Sequence, residues 1–119
     1  MADHIVLGEE GEELACAYLM DRGYRIIERN WRYQKAEVDI LAERDNTLAV
    51  IEVKTRSTRF FGDPVEFVKK KKIQLLVKAV NGYVEEHELD VEVRFDLIGI
   101  IKKQRSHEIV HLKDAFYYF

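Results

Sequence analysis

The sequence predicts a mixed α/β (α+β) domain, a five-stranded sheet with flanking helices. Three observations carry this. Apolar periodicity runs in the order helix, three strands, helix, two strands. Residues 37–54 read as a β-hairpin, so neighbouring strands are antiparallel there and a doubly wound parallel sheet does not fit. The length of 119 residues suits a single domain over 1–119, large enough for one core without staples.

The elements follow in order. Residues 5–22 read as an amphipathic helix: at about 100° per residue, Leu7, Leu14, Ala15, Cys16, Tyr18 and Leu19 form one apolar arc. Glu12 falls on that arc, between Cys16 and Leu19. A carboxylate there is costly unless partnered, or else it is a rim residue reaching solvent. Gly11 permits a close helix approach, and Gly23 suits a C-cap. Residues 24–30 form a first strand. Trp31 reads as a packing anchor rather than a stacking platform. The central hairpin follows, then a loop over 55–63 with Arg56, Arg59, Phe60 and Phe61. That loop suits either nucleic-acid contact or packing of a phenylalanine. Asp63, Pro64 and Glu66 form an N-cap, N1 and N3 set that opens a second helix, expected to end by 85–88. Its stripe is Val65, Val68, Leu75, Leu76, Ala79 and Tyr83, and Lys72 falls on it. A lysine there either snorkels or points toward the site formed by Asp39, Glu52 and Lys54. Residues 91–101 form a long strand on which Arg94 and Asp96 share a face, as an ion pair or a brace. A turn at 102–106, a short strand at 108–112 and an aromatic tail complete the chain. The tail reads as core cover, with a dimer contact as the alternative.

The hairpin holds the chemistry. Asp45 and Asn46 both tolerate positive φ, so a two-residue type I′ loop is expected. Paired residue numbers then sum to 91, which sets Asp39 opposite Glu52 and Glu37 opposite Lys54. Alternation places Glu37, Asp39 and Leu41 on one face of the first strand, with Val38, Ile40 and Ala42 on the other. Two carboxylates set directly across a ladder repel, and a bound cation is the natural relief. Mg²⁺ or Mn²⁺ suits hard oxygen ligands such as Asp39 and Glu52, with substrate phosphate completing the shell. Lys54, two residues beyond Glu52 on the same face, would orient a water or meet charge developing on phosphate.

Composition narrows the classes. Hydrophobic residues make up 47% and charged residues 34%, the balance of a soluble globular protein. No apolar run approaches the roughly 20 residues of a membrane span, and no charged-then-apolar leader suggests export. Lone Cys16 cannot form an internal disulfide, which fits the cytoplasm. With His4, His87, His107 and His111 scattered, no zinc pattern emerges. Net charge is −3 but unevenly spread: residues 1–21 carry −6 and residues 54–78 carry +6. The basic segment suits phosphate contact or a solvated helix face.

Taken as a set, these stretches resemble known nucleases. Asp39, thirteen residues to Glu52, then Val53-Lys54 resembles the PD-(D/E)xK signature. Glu12 on the preceding helix is similar to the extra acid of Holliday-junction resolvases in that superfamily. Gly8-Glu9-Glu10-Gly11-Glu12, Tyr18-Leu19, Gly23-Tyr24, Asn30-Trp31, Glu37-Val38-Asp39, Glu52-Val53-Lys54-Thr55-Arg56, Phe61-Gly62, Pro64, Lys72 and Arg94-Phe95-Asp96 together resemble the YraN family of endonuclease-like bacterial proteins. Val38 stands where the signature has proline, and Ala36 where the family often has glycine. The resemblance implies a restriction-endonuclease-like core, Asp39 and Glu52 as ligands of Mg²⁺ or Mn²⁺, Lys54 as catalytic lysine and Glu12 as an added catalytic acid. Arg56, Arg59, Lys69, Lys70, Lys71 and Lys72 are the expected contacts to nucleic acid, with DNA the expected form. Two functions stay open: a metal-dependent nuclease acting on branched or structured DNA, and a non-catalytic nucleic-acid-binding or protein-interaction module. A homodimer would suit a two-fold substrate.

Overall fold

A computed structural model describes residues 2–33, 35–56 and 70–115, the side chains of 2–8 and 70 excepted. The order is α1 (Ala2–Asp21), β1 (Arg25–Tyr33), β2 (Ala36–Arg44), β3 (Thr47–Arg56), α2 (Lys70–Glu86), β4 (Glu92–Lys102) and β5 (His107–Leu112). One five-stranded sheet runs β1-β2-β3-β4-β5. Only β3 and β4 pair in parallel; the other neighbours are antiparallel. A parallel step needs a crossover, and α2 lies within that connection. The mixed α+β architecture and the element order are those expected.

The hairpin closes as its sequence dictates. Asp45 and Asn46 take φ of 49° and 63°, the type I′ pattern. The ladder runs from Arg44–Thr47 to Ile40–Ile51 in the expected register and stops there, short of the expected Asp39–Glu52 and Glu37–Lys54 pairs. Helix α1 ends in a Schellman motif: Tyr24 N–H donates to Leu19 O and Gly23 N–H to Met20 O, each at 3.0 Å. Gly23 supplies the left-handed φ of 85° that this needs.

Two cores cover the two sheet faces. Ala15, Cys16 and Leu19 of α1 pack on Ile40, Ala42, Ala49, Ile51, Ile98 and Ile100. Ile73, Leu76 and Val80 of α2 pack on Val38, Leu41, Leu48, Val50, Phe95 and Leu97. Each fully buried Val, Leu or Ile among these contributes roughly 1.5–3 kcal/mol. The α2 stripe is therefore centred differently from expectation. Ile73 and Val80 are buried while Leu75 is only half-buried, because Ile73, Leu76 and Val80 follow the i, i+3, i+7 row that meets the sheet. Val65, Val68 and the Asp63 cap lie outside the described residues, as do loop residues 57–63 and aromatic residues 116–119.

A second correction concerns β2. Alternation placed Val38 with Ile40 and Ala42, yet Val38 joins Leu41 in the α2 core. The alternation slips at Asp39, alongside Asn30 of β1, whose backbone is left-handed at φ 50°. Trp31 is half-buried, edge-on to Tyr83 at 5.4 Å and stacked on Tyr33 at 5.9 Å. It is a packing anchor. Gly11 lets α1 approach β3 so closely that an added Cβ would overlap Thr55 Oγ1.

Candidate functional site

The site forms where the β2–β3 ladder ends. One step past the Ile40–Ile51 pair stand Asp39 and Glu52. Asp39 Oδ2 accepts a hydrogen bond from Val53 N–H at 2.8 Å, so its carboxylate is anchored to the backbone between Glu52 and Lys54. Glu52 is 3% exposed. Lys72 Nζ reaches down from α2 and donates to Glu52 Oε2 at 3.2 Å. The other oxygen, Oε1, is buried and has no hydrogen-bond partner among the described residues.

That arrangement is electrostatically tense. Burial, and then the neighbouring Asp39 carboxylate, push Glu52 up to about 7, while Lys72 and Lys54 pull it down. Desolvation of the charged form outweighs two nearby ammonium groups. Lys54 is half-buried on the same strand, with its charge felt at Glu52.

Glu12 lies within electrostatic range of Asp39. Its side chain is 18% exposed, so it is not a free rim residue. Asn30 Nδ2 donates to Glu12 Oε2 at 3.2 Å, and Arg29 stands 3.9 Å away. Burial raises the Glu12 carboxyl; Asn30 opposes this and Asp39 adds to it. Asp39 is thus felt by both Glu52 and Glu12. Glu12 and Asn30 also line an open cavity of about 760 Å³ between the first half of α1, β1 and the β4–β5 turn. Among the described residues no three Asp, Glu, His or Cys side chains gather tightly enough to cage a metal. The pair available is Asp39 and Glu52.

The expected phosphate contacts are placed in part. Arg56 is exposed at the end of β3, with Nη1 donating to Thr55 O at 2.9 Å. Lys71 is exposed on the first described turn of α2. Lys72, by contrast, is spent on Glu52. The side chain of Lys70 lies outside the described residues, as do Arg59 and Lys69.

Arg94 and Asp96 form the ion pair expected, but in a larger network on the α1 face, opposite to Glu52. Asp96 is fully buried. Arg94 donates to Asp96 through Nε and Nη2, both at 2.9 Å, and Nη2 also reaches Tyr24 Oη at 2.6 Å. Asp114 N–H donates at 3.0 Å and His111 Nε2 at 2.8 Å. A carboxylate only accepts, so Nε2 of His111 carries the proton; the Nδ1 of a neutral ring then accepts from Tyr18 Oη at 3.0 Å. Burial pushes Asp96 up, but the bonds from His111, Arg94 and Asp114 outweigh it and hold the carboxyl below its ordinary value. The network ties β4 and β5 to α1. Sequence reasoning found neither Tyr18 nor His111 here. It also passed over the conformation of Asn30, which only the expected register, extended to β1, could have flagged.

Comparison with known proteins gives a consistent answer. The chain is 64% identical over 119 residues to a UPF0102 protein of Christiangramia forsetii, covering all of both chains. It is 53% identical over 119 residues to one of Flavobacterium psychrophilum, again over all of both. It is 45% identical over 117 residues to one of Phocaeicola vulgatus, 98% of this chain and 97% of that one. Among solved structures it is similar to Pyrococcus furiosus SfsA in complex with Ca²⁺, at TM-score 0.41 and 16% identity, over 92% of this chain and 63% of that one. No helix among the described residues is long and apolar enough to cross a membrane. The model of the uncharacterised protein family UPF0102 matches residues 11–100, in line with the YraN resemblance, and the chain belongs to that family.

Proposed function

We propose that this protein is a metal-dependent nuclease that hydrolyses phosphodiester bonds of DNA, with branched or structured DNA as the favoured substrate. The observation that carries the reading is Glu52 Oε1, a carboxylate oxygen buried beside Asp39 with no hydrogen-bond partner among the described residues. An orphaned acceptor in the interior is expensive. Two carboxylates at the end of an opened ladder are the donor set Mg²⁺ or Mn²⁺ takes, because such ions use one or two carboxylates and leave room for phosphate. The residues present therefore fit the ion, with Asp39 and Glu52 holding it. Bound there, it supplies a Lewis acid that makes water a stronger acid and offsets phosphate charge.

The chain's own groups do the rest. The Val53 N–H holds Asp39 in place. Lys72 holds one oxygen of Glu52 and leaves the other open. Lys54 brings a fixed positive charge to the same edge, where it meets charge building on the phosphate oxygens. Glu12 adds negative charge behind Asp39 and serves as the added acid. Arg56 at the end of β3 and Lys71 on α2 hold the nucleic-acid backbone, with Lys70 as a further contact, so binding falls steeply with salt. A two-fold substrate would engage two copies of the chain.

The test is direct. Pure protein is incubated with linear, nicked, flapped and four-way DNA in Mg²⁺, Mn²⁺ or EDTA, beside Asp39→Ala. Cleavage that needs the ion and Asp39 is the expected result. DNA binding that ignores both EDTA and the substitution, with no cleavage, would make the protein a binding module instead.

A further inference from the structure

Asn30 stands inside β1, at neither a turn nor a helix end, yet its backbone is left-handed, at φ 50°. That region is sparsely used by residues with a Cβ and persists only where the surroundings impose it. The β1–β2 register shows what lies opposite. Arg29 pairs with Ile40 and Trp31 with Val38, so Asp39 is the residue across from Asn30, and this pair drops out of the ladder between them. The left-handed residue stands at the level of the candidate metal ligand, with the register unshifted on either side of it.

The side chain then has a definite target. Asn30 Nδ2 donates to Glu12 Oε2 at 3.2 Å. The competing cation, Arg29, is committed to Glu13 at 2.8 Å and stands 3.9 Å from Glu12. Asparagine combines three properties needed at this position. It tolerates the left-handed region better than most residues with a side chain, it carries a donor, and it adds no charge. Glycine would keep the backbone and lose the donor. Aspartate would keep the shape and set a second carboxylate against Glu12.

We infer that Asn30 is a positioning residue: its left-handed backbone opposite Asp39 aims its amide at Glu12 and holds that carboxylate on the Asp39 side, where its charge strengthens the cation site. This rests on the reading that Asp39 and Glu52 hold a divalent ion. Asn30 touches neither the ion nor the phosphate; it acts through Glu12. The contact also spans α1 and β1, so it sets one wall of the 760 Å³ cavity that both residues line.

Calorimetry with Mn²⁺ alone tests this, on the full chain and on Asn30→Gly, Glu12→Ala, the double variant and Asp39→Ala. Glycine suits φ 50° without strain, so Asn30→Gly should fold with an unchanged urea midpoint. Its Mn²⁺ affinity should fall about 10-fold, the scale on which hydrogen-bonded supports of metal ligands are felt. Glu12→Ala should fall at least as far, and the double variant should match Glu12→Ala, because Asn30 then has nothing to hold. Should Asn30→Gly fail to fold, Asn30→Asp is used: it tolerates the left-handed backbone but sets a carboxylate instead of a donor against Glu12, so Mn²⁺ affinity should change in the parent background and match that of Glu12→Ala in the Glu12→Ala background. Asn30→Gly binding as tightly as the parent, or losing as much in the Glu12→Ala background as in the parent, overturns the inference alone. No Mn²⁺ binding by the parent, or binding unchanged in Asp39→Ala, overturns the underlying reading and this inference with it.

Discussion

Glu52→Gln isolates the cost of keeping a buried carboxylate at the end of β3. The Glu52 carboxyl sits at about 7 in the folded protein, against an ordinary value of 4.5. The folded state therefore holds the proton more tightly than the unfolded chain. Below 4.5 both states are protonated and Glu52 costs nothing extra. As pH rises through about 7 the folded protein must ionise a group that is 3% exposed, and the stability held by the neutral form is lost. At 1.36 kcal/mol per unit, the full loss by pH 8 is about 3 kcal/mol. Glutamine has the same shape, keeps an acceptor for Lys72 and cannot ionise. In EDTA, wild type and Glu52→Gln should be equally stable near pH 4.5, with the variant the more stable by up to about 3 kcal/mol at pH 8. Urea unfolding at constant ionic strength between pH 4.5 and 8.5 measures this. Parallel stability curves, or a variant that loses ground as pH rises, would refute the reasoning. Mg²⁺ should narrow the gap by stabilising wild type alone.

Three further outcomes follow from the geometry. Asp96→Asn leaves the half-buried Arg94 facing a neutral amide at a fully buried position, and should cost about 3–5 kcal/mol. Because the Asp96 carboxyl is held below its ordinary value, that contribution is present at neutral pH and lost as pH falls through the folded value, so the deficit should shrink in acid, opposite to Glu52. Gly11→Ala places a Cβ into Thr55 Oγ1 and should cost about 1–3 kcal/mol; in a Thr55→Ala background most of that cost should vanish, a coupling that a double-mutant cycle in urea reads directly. Lys54→Ala should leave Mn²⁺ affinity within a few-fold by calorimetry while slowing single-turnover cleavage by about 10²–10³-fold, the scale for one lost stabiliser of transition-state charge.

Local chemistry made much of the fold legible. The Asp45-Asn46 loop has few conformations open to it, so its register could be counted along two strands before any coordinate was known, and the ladder obeys that count to Ile40–Ile51. Gly23 announced its cap for a similar reason, since few residues accept φ of 85°. The parallel pairing of β3 with β4 was not legible. It depends on where the connection over residues 57–91 returns the chain, and no dipeptide encodes that. The α2 stripe was drawn too far toward Leu75 because apolar neighbours at 75–77 blur a helical period, and only the sheet decides which row it accepts.

The site was legible where it breaks a pattern and hidden where it breaks the backbone. Lys72 stood out as a charge on an apolar stripe, and it reaches Glu52. Glu12 stood out the same way, and it lies within electrostatic range of Asp39. Asn30 broke no hydropathy rule, being a polar residue on an edge strand, so nothing in the pattern marked it. Its left-handed φ answers a need that arises only once β1 lies beside β2, when the chain must leave the ladder opposite Asp39. Val38 crosses to the α2 core beside that residue, the β1–β2 pairing skips Asn30 and Asp39 and resumes at Trp31–Val38, and the β2–β3 ladder stops at Ile40–Ile51, just before Asp39 and Glu52. An unbroken ladder would hold Asp39 and Glu52 at the spacing of ordinary cross-strand neighbours, where like charges destabilise the sheet. With the β2–β3 ladder stopping at Ile40–Ile51, Asp39 takes the Val53 N–H and Glu52 Oε1 is without a partner among the described residues. The irregular backbone and the unmet acceptor are therefore two parts of one feature, and a substitution that straightened β1 at Asn30 should disturb the acids before it disturbed the core.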